Sequence, residues 1–345
     1  LSVNRFYNSR EDAVNPARAG QTGTGWTMDV GTDIRLSVNG YDEEAFFEGP
    51  SGYRVTFPYN RSTGTYGKPV GLNAELTEDG GDYTVHLVDS GMKYHFNNGA
   101  ELDVIEDQRG NTITMNYSSG RLSSITDTLG GTTTFAHNGD GFVTSITDPD
   151  GRSVTYGYTG RDLTSVTDQT GATTSYGYDA DHNLTSITDP RGGVTRYVYN
   201  ADDELTSVRW ADSTTASPKV TTYDRSVNDR VEVTDPNGND EWLYIFDDQG
   251  RLETFYSPRS GVGDEYAYDV NNSVTTYTNN TGGIGTLSYD GYNVETIQSA
   301  NGATSTFDYG DPNDPNNKAP DRPKRYENAQ GVALNYQWNN SQEMT

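Results

Sequence analysis

From residue 111 onward, the chain consists of short runs in which bulky and small side chains alternate. In residues 153–158, Val154, Tyr156 and Tyr158 share one face of an extended chain, and smaller residues occupy the other. Residues 173–178 repeat the pattern. Valine, threonine and tyrosine favour a pleated, half-buried surface, so these runs predict β-strands with one bulky face.

The runs recur with a fixed period. The aspartates that close consecutive units, Asp127, Asp148, Asp168 and Asp189, are spaced 21, 20 and 21 residues apart, and Asp235 closes a later unit. One aromatic position extends the series in both directions. Its members are Tyr117, Tyr158, Tyr178, Tyr199, Tyr223, Phe246, Tyr268, Tyr289 and Tyr309, with His137 in one substituted copy. This period indicates tandem repeats, and we expect these aromatic residues and aspartates to be structural.

Each unit contains two strand-like runs and closes on a turn motif. The motif is Asp-Pro-x-Gly at residues 148–151, 189–192 and 235–238. Aspartate accepts hydrogen bonds from the turn backbone, proline presets φ, and glycine adopts a positive φ. Paired runs at this spacing are typical of consecutive hairpins. The sequence therefore predicts an all-β fold of tandem antiparallel β-hairpin repeats that pair in order into one long twisted strip.

The second run of each unit leaves one detail open. It carries apolar residues three positions apart, as at Leu163 and Val166. Residues at this spacing point to opposite faces of a regular strand. Either a β-bulge places both on one face, or one of them faces solvent.

The first hundred residues do not share the period. Alternation at residues 53–57 and 83–88 still predicts strands, which we expect to pack against the first repeats. The predicted organisation is a β-rich segment over 1–100 followed by tandem repeats over 101–345. Stretches near 211–218 and 310–323 predict loop insertions.

Composition excludes several classes of function. The chain has 50 acidic and 24 basic residues, and its net charge of -26 repels phosphate backbones and anionic lipid surfaces. We therefore expect no nucleic-acid partner. No apolar run approaches the roughly 18 residues that span a bilayer, so no membrane insertion is expected in this segment. The chain has no cysteine, which excludes disulfides and thiolate metal sites.

The repeated motif resembles that of the RHS/YD-repeat family. Residues 5–9 (Arg-Phe-Tyr-Asn-Ser) and 23–26 (Gly-Thr-Gly-Trp) are similar to the segment that precedes the repeats in many bacterial members. The Tyr-Asp dipeptides that name the family stand at 178–179, 223–224, 268–269 and 289–290. The resemblance implies a long sheet that spirals into a hollow shell. Such shells enclose a C-terminal toxin in bacterial polymorphic toxins and support adhesion in teneurins.

No pattern predicts a catalytic residue, a metal site or a cofactor, and we do not expect an enzyme. The histidines, His86, His95, His137 and His182, lack ligand spacing. Residues 179–183 begin like a calcium loop but lack its glycine and distal glutamate, which favours a hairpin turn. The tyrosine row could stack on sugars, but its recurrence in every copy favours a packing role.

Two hypotheses for the function remain. The first is a structural repeat region of a larger secreted or surface protein, forming part of a β-shell that encapsulates or presents a cargo such as a toxin domain. The alternative is an extracellular adhesin or filament subunit that uses the strip for self-association or cell contact. The expected partners are the rest of a longer chain or copies of the chain and, under the first hypothesis, an encapsulated toxin.

The length of the strip bears on both hypotheses. About 20 strands at ~4.8 Å each give roughly 95 Å, which barely completes one turn of a shell. We therefore expect an open strip with edge strands that recruit a partner.

Overall fold

The chain folds almost entirely into antiparallel strands in a computed structural model that describes residues 3–9, 21–39, 44–212, 219–236, 241–257, 263–279, 281–310, 322–338 and 344. Helical structure in these ranges consists of two 3-10 turns, Gly31–Asp33 and Pro50–Gly52. The early strands are β1 (Arg5–Tyr7), β2 (Trp26–Met28), β3 (Arg35–Asn39), β4 (Glu44–Glu48), β5 (Arg54–Asn60) and β6 (Thr65–Tyr66).

The remaining strands belong to one large sheet. They are β7 (Ala74–Asp79), β8 (Asp82–Leu87), β9 (Met92–Phe96), β10 (Leu102–Glu106), β11 (Thr112–Ser118), β12 (Arg121–Asp127), β13 (Thr132–His137), β14 (Val143–Thr147), β15 (Ser153–Thr159), β16 (Asp162–Thr167), β17 (Thr173–Tyr178), β18 (Leu184–Thr188), β19 (Val194–Tyr199), β20 (Leu205–Arg209), β21 (Val220–Asp224), β22 (Arg230–Thr234), β23 (Glu241–Phe246), β24 (Leu252–Tyr256), β25 (Asp264–Tyr268), β26 (Val274–Thr278), β27 (Ile284–Asp290), β28 (Asn293–Gln298), β29 (Thr304–Asp308), β30 (Arg325–Glu327) and β31 (Ala333–Asn335).

Each strand of this sheet pairs antiparallel with the next in sequence. In the hairpin of β15 and β16, for example, Tyr156 faces Val166. Strands β3 to β6 form a separate four-stranded sheet, and β1 pairs with β2. The predicted all-β fold of antiparallel hairpins is therefore confirmed.

The large sheet closes on itself, with β31 beside β7, and so differs from the open strip expected above. Strands β7 to β10 precede the first periodic copy, and the resulting 25 strands span about 120 Å at ~4.8 Å each. Contacts also join distant parts of the sheet. The Gly71 N–H donates to the Asn271 carbonyl at 3.2 Å, and Arg322 Nη2 donates to the Asp89 carbonyl at 2.6 Å.

The sheet begins at Ala74, ahead of the position expected for the start of the repeats. The division into segments 1–100 and 101–345 stays a prediction. The insertions near 211–218 and 310–323 fall mainly on residues 213–218 and 311–321, which lie outside the described residues.

A recurring β-bulge determines which face the side chains of the second strand of each hairpin point to. Tyr158 pairs with Leu163 but Gly157 pairs with Ser165, so Thr164 is the extra residue. Leu163 and Val166 are both buried as a result, with exposed fractions of 0% and 8%. The register shifts at the same aromatic position of other hairpins, namely Tyr117, His137, Tyr178, Tyr199, Phe246, Tyr268 and Tyr289.

The buried core lies where the early strands meet the first repeats. One cluster joins Met28, Phe47 and Phe57 of the early strands to residues such as Phe96 and Ile125 of the large sheet. A second, smaller cluster consists of Trp26, Leu163, Val166 and Leu184. The early residues therefore cover the bulky face of the first part of the sheet.

Candidate functional site

The bulky side chains of successive hairpins form a continuous surface, which we call the aromatic face. It is defined by Tyr117, Tyr156, Tyr158, Tyr176, Tyr178, Tyr197, Tyr199, Tyr244, Phe255, Tyr266, Tyr268, Tyr277 and Tyr289, with the apolar partners of each hairpin. Small residues such as Thr155 and Thr173 are exposed on the opposite face. This two-sided pattern follows from the alternation of side chains along each strand.

Six of the predicted tyrosines tie a hairpin to the one before it. Each hydroxyl donates to the backbone carbonyl of a leucine or valine in the preceding hairpin. The pairs are Tyr117 with Leu102 (2.7 Å), Tyr158 with Val143 (2.7 Å), Tyr178 with Leu163 (2.7 Å), Tyr199 with Leu184 (3.0 Å), Tyr268 with Leu252 (2.7 Å) and Tyr289 with Val274 (2.8 Å). In the Tyr178 pair, the accepting residue Leu163 lies outside the residues that pair between β16 and β17. The tyrosine hydroxyl therefore provides a hydrogen bond to a carbonyl that the pairing of these two strands does not use.

Burial keeps these hydroxyls protonated well beyond the physiological pH range. It raises the pKa of Tyr117, Tyr158 and Tyr178 far above the ordinary value, and it raises the pKa of Tyr199 to about 12. A protonated hydroxyl can donate to a carbonyl, whereas a phenolate cannot. The row is therefore suited to structural hydrogen bonding across the whole physiological pH range.

The other predicted aromatic positions depart from this geometry. Phe246 has no hydroxyl and pairs with Leu252. Tyr223 pairs with Val233 without a bulge, and Arg225 donates to the Leu205 carbonyl in place of a tyrosine. Tyr309 directly follows β29.

The predicted aspartates lie in the turns, where they accept backbone hydrogen bonds. Asp127, Asp148, Asp168 and Asp189 each accept from the N–H groups two and four residues later, at 2.7 to 3.0 Å. Hydrogen bonds from Thr170, followed by that from Ala172, lower the pKa of Asp168. The turn that follows Asp235 lies mostly outside the described residues. The structural role of the whole set of tyrosines and aspartates stays a proposal that substitutions must test.

A second set of turn residues was recognised in the sequence only at residues 179–183. Asp179, Asn200, Asp247 and Asp269 follow the aromatic position and accept the same two N–H groups at the opposite end of the hairpins. The sequence did contain the signal. The Asp or Asn after the aromatic position stands the same number of residues ahead of the next strand as Asp168 does.

Residues 179–183 form such a turn. Asp179 accepts from the Asp181 and Asn183 N–H groups at 3.0 and 2.9 Å. This is the hairpin turn that the sequence favoured over a calcium loop. Across the described ranges, no group of three or more histidine and acidic side chains is arranged to hold a metal ion. The same ranges contain no helix long and apolar enough to cross a membrane.

Part of the aromatic face is covered by what we call the N-terminal segment, residues 3–9 and 21–34. Trp26 Nε1 donates to the Tyr178 hydroxyl at 2.9 Å, and the Leu184 N–H donates to the Tyr7 hydroxyl at 2.7 Å. The Arg5 guanidinium lies 5.6 Å from the Trp26 ring and 5.3 Å from the Tyr156 ring. A cation and two aromatic rings therefore occupy this part of the face.

The backbone of the segment also bonds to the sheet. The Thr24 N–H donates to the Arg161 carbonyl at 2.9 Å, and the Val143 N–H donates to the Gln21 carbonyl at 2.8 Å. Gly23 has a φ of +97°, and a Cβ there would lie 2.5 Å from the Arg161 oxygen. Glycine is required at this position because no side chain fits between the two backbones.

Comparisons with known proteins bear on the repeats. A family model described as RHS Repeat matches residues 116–153, 137–162, 158–194 and 178–215. No curated protein matches the chain. The solved structures that are similar include the TcdB2-TccC3 complex, with 12% identity over 87% of this chain and 22% of that chain and a TM-score of 0.47. The Photorhabdus luminescens Tc holotoxin pore has 11% identity over 88% of this chain and 20% of that chain, with a TM-score of 0.40. This chain spans about a fifth of the length of those chains.

Proposed function

We propose that the chain forms part of a β-shell that encapsulates or presents a cargo polypeptide, such as a toxin domain, in a larger secreted or surface protein, because residues 116–215 match the RHS Repeat model. The observation that carries the proposal is a sheet that closes on itself and already holds a polypeptide segment on its aromatic face. The proposed role is structural, with the predicted tyrosines and aspartates maintaining the wall.

The dimensions of the sheet limit the size of the cargo. Strands of a closed barrel tilt by about 35 to 45°, so 25 strands at ~4.8 Å give a circumference of about 150 to 170 Å and a diameter of about 50 Å. Side chains that point inward remove about 5 Å on each side, and the remaining ~40 Å is close to the ~30 to 40 Å of a folded domain of 100 to 150 residues. With the aromatic face inward, the N-terminal segment occupies part of this space as well.

Closure of the sheet weighs against the filament alternative. Exposed edge strands recruit other strands because their backbone groups lack partners. Each of the 25 strands described in the large sheet has neighbours on both sides. Self-association through sheet edges is therefore the weaker of the two hypotheses.

Protease protection tests the proposal. An unstructured reporter of about 60 residues is fused after Thr345, and its digestion is compared with that of the free reporter and of the same fusion in denaturant. We expect at least roughly tenfold slower digestion in the native fusion, because the wall excludes the protease. Digestion at the rate of the free reporter would reject the shell. Filaments that grow with protein concentration would support the alternative.

A further inference from the structure

The face of the sheet opposite to the aromatic face carries a regular pattern of small side chains. In each of the first repeat hairpins, two residues with hydroxyl groups lie directly opposite each other on this face. The pairs are Thr114 with Thr126, Thr134 with Thr147, Thr155 with Thr167 and Ser175 with Thr188. In the next hairpin, formed by β19 and β20, the same pair is Arg196 with Arg209, and both arginines are exposed. Two cations thus replace two hydroxyl groups at equivalent positions of the repeat.

The positions beside the two arginines change as well. Val198, which is 53% exposed, stands where the two preceding copies have Gly157 and Gly177. Val194 stands where the copy before it has Thr173. Small side chains are therefore replaced by larger cationic and aliphatic ones over a continuous area, which we call the arginine patch. It is defined by Val194, Arg196, Val198, Ser207, Arg209 and Val220.

The architecture of this hairpin does not require the change. The register shifts at Tyr199 as in the other copies, and the Tyr199 hydroxyl donates to the Leu184 carbonyl at 3.0 Å. Like charges that lie directly opposite each other on paired strands destabilise a sheet. A pair of threonines would therefore suit this position of the fold at least as well as two arginines.

The two guanidinium groups have no counterion in the described part of the chain, where neither of them forms an ion pair or a hydrogen bond. The residues next to the pair on the adjoining strands are Ser186 and Val220, and neither carries a charge. The chain has 50 acidic and 24 basic residues, and other arginines find carboxylates, as Arg152 does with Asp148 at 2.7 Å. The two cations of the patch are therefore available to an external anionic group.

The size of the patch and its valines select the kind of anion. A guanidinium group binds a carboxylate or a phosphate through two parallel hydrogen bonds. Nucleic acids and anionic lipid surfaces bind through many cations, whereas this patch has two in a chain with a net charge of -26. Along β19 the cation is flanked at two-residue spacing by Val194 and Val198, which can pack against aliphatic side chains. An extended polypeptide with a carboxylate flanked by aliphatic residues at the same spacing matches both features.

We propose that the arginine patch binds an extended acidic segment of a partner polypeptide, in which a glutamate or aspartate has an aliphatic residue two positions away on either side. The carboxylate lies between the guanidinium groups of Arg196 and Arg209, and the aliphatic side chains pack beside Val194 and Val198. The patch lies on the opposite face of the sheet from the N-terminal segment. The inference therefore goes beyond the proposed function and does not depend on it.

The probe is a fluorophore-labelled peptide, Ser-Leu-Ser-Glu-Ser-Leu-Ser, whose binding to the whole chain is measured by fluorescence anisotropy. Arg196→Thr and Arg209→Thr restore the residue type of the earlier copies. Arg152→Thr is the matched control, because it removes the same charge from an exposed arginine that already has a carboxylate partner. We expect saturable binding that weakens at least roughly tenfold in each patch variant and is unchanged in the control. Replacing the glutamate of the peptide by glutamine should weaken binding to a similar extent.

Thermal unfolding distinguishes this role from a structural one. Without peptide, both patch variants should melt at or above the temperature of the wild type, because they remove a repulsion between like charges. Lower melting temperatures would mean that the arginines support the fold, and would reject the inference. It is also rejected by equal affinity of all variants, by the lack of saturable binding, or by equally tight binding of an oligothymidine or of phosphatidylglycerol vesicles. A dimer in sedimentation that the patch variants abolish would assign the patch to a second copy of the chain instead.

Discussion

At the scale of single residues, Tyr158 combines two kinds of contact. Its ring stacks on Phe142 with centroids 5.2 Å apart, and its hydroxyl donates to the Val143 carbonyl. We expect Tyr158→Ala to lower the free energy of unfolding by about 3 to 5 kcal/mol through loss of packing. Tyr158→Phe should cost about 1 kcal/mol through loss of one hydrogen bond. Urea denaturation measures both.

Thr155→Ala is the control for Tyr158, because Thr155 lies on the opposite, exposed face. We expect it to change stability by less than about 0.5 kcal/mol. If all three substitutions had equally small effects, the tyrosine row would face solvent. A sugar-binding role would then be the better interpretation.

Asp33 is a buried carboxyl with a pH-dependent effect on stability. Burial raises its pKa from 3.8 to about 6, although the Gln21 and Met28 N–H groups donate to it at 3.0 and 2.7 Å. Because the folded pKa lies above the unfolded value, the proton is held more tightly in the folded protein. The resulting stabilisation is complete below pH ~4 and is lost as the pH rises through about 6, on the order of 3 kcal/mol in total.

The test compares the wild type with Asp33→Asn across this pH range. The asparagine side chain of the variant cannot titrate. Comparing how steeply the stability of each protein changes with pH, rather than the stabilities themselves, removes the constant effect of the altered hydrogen bonds. Between pH 4 and 6.5 the wild type should lose stability relative to the variant in thermal or urea unfolding. A stability difference that does not depend on pH would show that Asp33 has an ordinary pKa.

At the scale of the hairpin, the bulge at Thr164 controls which face the second run presents. Deletion of Thr164 leaves Leu163 and Val166 two positions apart, so both can stay on the aromatic face of a regular strand. Insertion of one alanine after Ser165 either keeps the bulge and turns Val166 toward solvent, or removes the bulge and shifts Val166 out of register with Tyr156. We expect the insertion to cost about 1.5 to 3 kcal/mol for the exposed or displaced valine, and the deletion to cost less. Urea unfolding of the two variants checks the order, and the reverse order would contradict the bulge.

The hairpins could be predicted from the sequence because their causes are local. The turn residues at Asp148 and Asp189 and the alternation around Tyr156 act within about 20 residues. The bulge was left open because a spacing of three residues fits two geometries. The bond between the Tyr158 hydroxyl and Val143 was not predictable, because it depends on how neighbouring hairpins pack.

At the scale of the whole molecule, the N-terminal segment divides the sheet into covered and open parts. Apolar residues such as Leu163 are fully buried in the covered part, whereas Ile297 is not. We expect amide hydrogens of β15 to β18 to exchange roughly tenfold more slowly than those of β25 to β28, because buried contacts raise the cost of local opening. Hydrogen-exchange mass spectrometry measures this difference.

Trp26→Ala provides the matched variant for hydrogen exchange. Loss of the Trp26 ring should speed exchange in β15 to β18, where it contacts Tyr176 and Tyr178, and leave β25 to β28 unchanged. Uniform exchange across the wild-type sheet would mean that the segment adds no local stability.

The global arrangement had no signal in the sequence. Tyr7 and Leu184, which meet through a hydrogen bond, are 177 residues apart, and no periodicity links them. Closure of the sheet was not predicted because β7 to β10 lie ahead of the periodic copies. Contacts across such separations are set by the curvature of the assembled sheet, which turn chemistry alone does not specify.

The direction of the tyrosine bonds has a consequence for biosynthesis. In every pair the hydroxyl belongs to the later hairpin and the carbonyl to the earlier one. Each hairpin that leaves the ribosome therefore brings the donor that completes its predecessor, and one carbonyl of its own waits for the donor of the hairpin that follows. The sheet can therefore form one hairpin at a time. Its single unpaired edge moves forward as translation proceeds.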